Sequence, residues 1–266
     1  AKQIVGAEFA VDNKEQCFDE TTRLWQENGT FGVLFRSPLR HILYQYMMCK
    51  MASTSCPNST DAYGGLDEWV QNFLQMPGKP LPKLIDVKYL RQTTYLSYNP
   101  WNMQTRYFTQ KTFAIQEDEH HVGAFTTFAC HFTSEDFEPN AAIAEDAIRK
   151  QVKFVGITDL YVESLCLLYW QMHGNVPENT CFCGGPGPFG EPTHEQHPLP
   201  EYDIDDLPQE TLQQMAKFVK KDLKLFGFAL NRFERELRNA AKSTGVDMVC
   251  EHRFNRLRRE MARLDK

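Results

Sequence analysis

The stretch Phe31 to Tyr46, FGVLFRSPLRHILYQY, narrows the choice of folds more than any other part of the chain. Phe31 to Phe35 is a short unbroken apolar run, which predicts a strand buried on both faces of a sheet. The period then changes. Ser37 suits a helix N-cap, Pro38 the first helical position, and Ile42, Leu43, Tyr46 and Met47 fall on one helical side as far as about Met51. The unit therefore reads strand, tight turn, helix. A helix N-terminus beside Arg36 combines exposed N–H groups, the helix dipole and a guanidinium, all of which favour an anion, with phosphate the natural guest. Without further context, an arginine in such a turn is as a rule a surface or salt-bridging residue.

Other stretches repeat the alternation. Ile4 to Val11 and KFVGITDLY read as strands, and Thr21 to Gln26, LDEWVQNFLQM, the segment opened by Asn99-Pro100, AAIAEDAIRKQV, ESLCLLYWQM and the last part of the chain read as helices. In LDEWVQNFLQM, Trp69, Phe73 and Leu74 point inward. GAFTTFACHF is ambiguous between strand and buried loop, PGKPLPK is a Pro-rich turn, and Asn175 to about Asp206 is a long Gly/Pro/His-rich excursion. Strands alternating with helices predict one α/β domain over residues 1–266, with a mostly parallel sheet flanked by helices and a helical C-terminus.

The formal charge of −6 is spread without a long single-sign run, which argues against a general nucleic-acid binder but leaves room for a local basic pocket. Neither a bilayer-spanning apolar run nor a signal pattern at AKQIVGAEF is present. The missing initiator Met leads to the expectation that the sequence is a piece of something longer. Eight cysteines and two glycosylation patterns, Asn28-Gly-Thr30 and Asn58-Ser-Thr60, point to a lumenal or secreted setting. Cys166, inside an apolar helical run, reads as a plain buried thiol.

Four segments, in order, resemble one family. FRSPLRHILYQY is similar to the 3′-phosphate-binding strand–turn–helix of sulfotransferases that use 3′-phosphoadenosine 5′-phosphosulfate (PAPS), normally Arg-x-Pro followed by a helix carrying a Ser. WNMQTRYF, KFVGITDLYVESLCLL and DLKLFGFALNRFERELR resemble helix, strand–helix and closing-helix segments of the membrane-bound, Golgi-type carbohydrate and protein sulfotransferases. The resemblance implies a P-loop-like α/β fold that takes PAPS as cosubstrate and needs no metal. Its activity would be transfer of a sulfuryl group to a hydroxyl of a carbohydrate or glycoprotein acceptor, in the Golgi lumen or after secretion. A membrane anchor would lie upstream, and nucleic acid would not be a partner.

By position, the resemblance makes Arg36 and Ser37 the 3′-phosphate contacts. His41 stands where the family often has a basic residue or His, and either assists the phosphate or serves packing. Tyr44 replaces the usual helical Ser, a departure that changes the geometry or removes that contact. The family's Pro-Lys-x-Gly-(Thr/Ser)-(Thr/Ser) phosphosulfate loop, upstream of the segment corresponding to Phe31, has no match in residues 1–30, and the catalytic base is unassigned. Either the sequence starts downstream of that loop, the expectation favoured here, or activity is lost and the chain is a lumenal binding protein that keeps the fold.

Arg106 either faces the nucleotide or bridges helices. Asp159 and Glu163 either sit by the acceptor or, for Glu163, serve as a first-turn carboxylate. Asp222, Phe226, Phe228 and Phe233 are expected to serve cap and core. Cys181, Cys183, His194 and His197 lack zinc-site spacing, and a disulfide-bearing loop is the preferred reading. EDEHH, Glu117 to His121, reads as a solvated turn, and EYDIDD as a lead into a helix rather than a calcium loop.

Overall fold

In the computed structural model, residues 4–6, 30–51, 65–74, 100–109, 112–115, 127–130, 138–190 and 204–263 are described. The apolar run forms β2, Thr30–Phe35, and the helix begun by Pro38 is α1, Pro38–Met51. β2 lies between β1, Ile4–Gly6, and β5, Phe154–Ile157, and both neighbours run parallel to it. Phe35 is paired with Ile157, so the two strands end level. The fold is α/β. A separate antiparallel pair, β3 (Thr112–Ile115) with β4 (Thr127–Cys130), settles GAFTTFACHF as containing a strand.

Between β2 and β5 lie α2 (Leu66–Leu74), α3 (Met103–Tyr107) and α4 (Ala141–Gln151). After β5 a 3-10 turn, Thr158–Leu160, leads into α5, Tyr161–His173. The chain closes with α6 (Gln209–Phe218), α7 (Lys220–Thr244) and α8 (Glu251–Ala262). Residues 204–206 form a 3-10 turn leading to α6, as EYDIDD suggests. The expected strand over Ile4 to Val11 is seen over Ile4–Gly6. Residues 7–11, the Thr21 to Gln26 helix, both sequons, PGKPLPK, EDEHH, His194 and His197 lie outside the described residues.

The apolar stripe of α7 (Leu225, Phe226, Ala229, Leu230, Phe233, Leu237, Ala240) follows the helical period and packs against β5, α4 and α5. Its Phe233 ring stacks on Phe254 of α8. Phe226 and Phe233 are core, as expected, and Phe228 is partly buried beside them. A second cluster joins α1, α2 and α6 through Tyr46, Trp69, Phe73, Trp101 and Phe218. Gly156 allows β5 to lie close to β2: a Cβ there would run into Leu34 Cδ2 and meet the Phe154 ring at 2.9 Å, so those side chains would have to shift. Arg232 of α7 donates to the carbonyls of Ile148 (2.8 Å) and Val152 (2.9 Å), closing the C-terminal end of α4.

Cys166 is corrected by the structure: it is disulfide-bonded to Cys181. The helical pattern of α5 reported an inward face, but Cys166 is also where the 175–190 loop crosses that helix. Cys183 pairs with Cys250, the residue immediately before α8. Both cysteines of Cys181-Phe-Cys183 are thus spent in disulfides and are not free to ligate zinc. The two bridges mark an oxidising, secretory-type compartment. Among the described residues, no helix is long and apolar enough to cross a membrane.

The Cys183–Cys250 bridge closes a loop with a sequence separation of 67. In the chain-entropy account this contributes about 4 kcal/mol, against about 3 kcal/mol for Cys166–Cys181. Replacing Cys183 and Cys250 together by Ser is therefore expected to lower the unfolding free energy by roughly 4 kcal/mol in urea titrations, the larger loss of the two bridge deletions.

Candidate functional site

The carboxyl ends of β2 and β5 open onto a cleft of about 210 Å³ lined by Arg36, Arg40, Tyr44, Thr158 and Asp159. Arg36, Arg40 and Tyr44 recur every four residues, so the helical turn stacks Arg40 and Tyr44 on one side of α1 and directs them toward Arg36. The Arg36 guanidinium lies 4.5 Å from the centre of the Tyr44 ring, and its Nε donates to Thr158 Oγ1 at 3.4 Å. Thr158 Oγ1 donates to the carbonyl of Phe35 at 3.2 Å. Tyr44 therefore meets the arginine with its ring face, a cation–π contact. Among the described residues, no carboxylate pairs with Arg36.

The backbone of Arg36 is held as if by another strand. Gln104 Nε2 donates to the Arg36 carbonyl (2.9 Å), and the Arg36 N–H donates to Gln104 Oε1 (3.3 Å). Ser164 does the same for β5: its Oγ accepts from the Ile157 N–H (2.8 Å) and donates to the Ile157 carbonyl (2.9 Å). Side chains thus satisfy backbone groups where pairing stops.

Gln104 is positioned by an exchange of caps. Asn102 precedes α3 with φ 45, a conformation that Asn tolerates better than most residues. Its Oδ1 accepts from the N–H groups of Lys221 (2.8 Å) and Asp222 (3.4 Å) in the first turn of α7. In return, Asp222 Oδ2 accepts from the Gln104 N–H (3.1 Å) and Oδ1 from the Thr105 N–H (2.7 Å) in α3. The helix expected from Asn99-Pro100 therefore starts at Met103, where these caps fix it. Asp222 is a cap, as expected, but of a neighbouring helix. Burial pushes its carboxyl up to about 6, against the opposing pull of the Thr105 and Gln104 hydrogen bonds and of Arg106. Arg106 is fully buried and donates to the Trp101 carbonyl at 3.1 Å; it does not line the cleft.

Ser37 sits at the N-cap position, and its carbonyl accepts the His41 N–H at 2.9 Å. Its hydroxyl makes a long contact of 3.5 Å to Glu260 Oε2 of α8 rather than a local cap. Its N–H donates to Asp159 Oδ2 at 2.8 Å. Asp159 Oδ1 lies 3.4 Å from Arg40 Nε, and Arg40 also pairs with Glu260 (NH2 to Oε1, 2.5 Å). His41 lies outside the cleft lining. Dense surroundings, then Arg36 and then Arg106, hold its imidazole well below the usual histidine range, so it is neutral. Glu163 is buried with both oxygens 2.8 Å from Arg253 NH1. Burial raises its carboxyl pKa, opposed chiefly by Arg253. It is an interior partner of α8, away from the cleft lining.

The structure therefore brings Arg36, Ser37, Tyr44 and Asp159 together, and leaves His41, Arg106 and Glu163 behind them. Sequence reasoning missed Arg40, Thr158, Gln104 and Glu260. The spacing of Arg40 four residues after Arg36 was a usable signal; Glu260, more than two hundred residues away, offered none. Among the described residues, no group of three or more His, Cys, Asp or Glu is placed to hold a metal ion. Comparison of the chain with protein-family models, with curated proteins and with solved structures finds no match.

The buried Asp222 carboxyl has a testable sign. Its raised pKa means the folded state binds a proton more readily than the unfolded chain, so its contribution is full below about pH 4 and is lost as pH rises through about 6. His41, with a lowered pKa, acts in the opposite direction, so the comparison is with Asp222→Asn, which keeps His41. The stability advantage of the parent over Asp222→Asn should shrink between pH 4 and 7 by at most on the order of 3 kcal/mol, read from urea unfolding at several pH values. Parallel pH curves for the two proteins would contradict the assignment.

Proposed function

We propose that the cleft binds the ribose 3′-phosphate of PAPS and that the chain belongs to a sulfotransferase acting on a hydroxyl of a glycan or protein acceptor. The observation that carries this reading is Arg36: a cation at the carboxyl end of the middle parallel strand, beside the start of a 14-residue helix, with no carboxylate partner among the described residues. A phosphate there would meet the guanidinium and the positive end of the helix dipole on one side. Cleft volume agrees with the proposal. Sites that enclose a whole drug-sized ligand run to roughly 300–1,000 Å³, and about 210 Å³ suits one phosphate with its sugar.

Parallel β1-β2-β5 order, with a helix following each of β2 and β5, supports a P-loop-like sheet as the finer form of the fold. The four resembling segments are also physically coupled: Gln104 of WNMQTRYF holds Arg36 of FRSPLRH, Asp222 of the closing segment holds Gln104, and Thr158 of KFVGITD meets Arg36. In the reaction, the acceptor oxygen attacks sulfur in line, the bond from sulfur to the bridging phosphate oxygen breaks, and the acceptor's proton passes to a base. Arg36 would contribute by fixing the nucleotide so that the sulfuryl group lies in line. The disulfides agree with a Golgi-lumen or secreted setting.

The test is calorimetric titration with adenosine 3′,5′-bisphosphate. Arg36→Ala removes charge-assisted hydrogen bonds worth about 1.5–3 kcal/mol, so its Kd is expected to rise roughly 10- to 150-fold over the parent, with Arg36→Lys between them. Equal binding by parent and Arg36→Ala would overturn the site. Binding without transfer from PAPS to any glycan or tyrosine acceptor would favour the non-catalytic reading of the same fold.

A further inference from the structure

The cleft that holds Arg36 also contains a carboxylate, and a carboxylate is an unusual wall for an anion site. Asp159 lines the cleft directly. It accepts the Ser37 N–H at 2.8 Å, the donor that a helix start would otherwise offer an incoming anion. Its other oxygen is 3.4 Å from Arg40 Nε, and Arg40 is further neutralised by Glu260. Behind Asp159, Arg253 of α8 donates to its backbone carbonyl (3.2 Å) while pairing with Glu163. Among the described residues, the lining guanidinium left without a carboxylate partner is therefore that of Arg36, and the Asp159 carboxylate lines the same cleft.

An ionised carboxylate only accepts hydrogen bonds. A fully deprotonated oxyanion placed against it is repelled, whereas one that keeps a proton donates an O–H to it. Sulfate and sulfate esters carry no proton near neutral pH. Phosphate monoesters are mostly dianions there, but with a second ionisation at about pH 6 they take up a proton on binding at small cost, which sulfate does not.

We propose that Asp159 is the specificity residue of this cleft, admitting a protonated phosphate monoester and rejecting sulfate. This rests on the phosphate reading above and deepens it. The ligand's P–O–H donates to an Asp159 oxygen while its remaining oxygens face Arg36. The proton arrives with the ligand or is taken from solvent on binding, and no covalent bond changes. For a chain that handles a molecule carrying both phosphate and sulfate, such a filter keeps the sulfuryl end out of the phosphate subsite.

Binding of inorganic phosphate, inorganic sulfate and adenosine 3′,5′-bisphosphate is to be measured by calorimetry on the full chain, for the parent, Asp159→Asn and Arg36→Ala. The parent is expected to prefer phosphate over sulfate by about tenfold or more. Asp159→Asn, whose amide also donates, should bring that ratio near unity, mainly by binding sulfate tighter. Because Asp159→Asn disturbs Arg40, an independent readout uses the parent alone. In two buffers of different ionisation enthalpy at pH 7.5, bisphosphate binding should take up a proton. A preserved phosphate preference in folded Asp159→Asn, or absent proton uptake in the parent, overturns the proposal.

The outcomes also separate the two readings. If bisphosphate binding needs Arg36 but Asp159→Asn keeps the preference, Asp159 is not the filter and the nucleotide site stands. If Asp159→Asn loses the preference while the bisphosphate binds no tighter than inorganic phosphate, the filter stands and the nucleotide reading falls. If no anion binds the parent, both fall.

Discussion

The geometry around the cleft depends on one buried exchange of hydrogen bonds. Asp222 and Asn102 cap each other's helices inside the protein, so α3, only five residues long, is held at a fixed angle to α7. A helix that short has no stability of its own, because nucleation costs more than so few hydrogen bonds return. Once α3 is fixed, Gln104 is fixed, and through it the backbone of Arg36. A carboxyl raised to about 6 by burial is the cost of placing that cap where no water reaches.

Charge around the cleft is nearly balanced by design of the chain path. α1 contributes Arg40, the β5–α5 turn contributes Asp159, and α8 contributes Glu260. Three distant segments thereby neutralise one another and, among the described residues, leave Arg36 without a carboxylate partner, resting on an aromatic ring. A paired arginine would have to exchange one anion for another, whereas a cation held over an aromatic face accepts a new anion without losing its support.

The rear of the site is tied down covalently. Cys183–Cys250 anchors the start of α8, the helix that carries Arg253 to Glu163 and Glu260 to Arg40. Cys166–Cys181 fastens the same loop to α5. Gly187 lies against Val162 with φ 83, so the loop runs back along α5 toward the strand ends. An oxidising compartment is therefore part of what keeps the far wall in place.

Much of the fold was legible locally. The change of period at Arg36-Ser37-Pro38 marks the end of β2 and the start of α1, and KFVGITDLY followed by an apolar helical run marks β5 and α5, because one buried face imposes its spacing on the residues that cover it. Legibility failed where partners are remote. Cys166 looked like packing until a loop fifteen residues later crossed it, and the first turn of α3 could not be set without α7. At the cleft, Arg36 was readable from the change of period, and Tyr44 came through the resemblance as a departure that changes the geometry or removes a contact; in the structure its ring faces Arg36.

By itself, the sequence determined the order of strands and helices, the position of Arg36 at a strand end and the supply of paired cysteines, since periodicity and residue chemistry act over a few neighbours. Only the tertiary structure decided which charges cancel: among the described residues, Arg40 is neutralised by Asp159 and Glu260 while Arg36 is not, because electrostatic pairing depends on distance in space, and those carboxylates lie more than a hundred residues away along the chain.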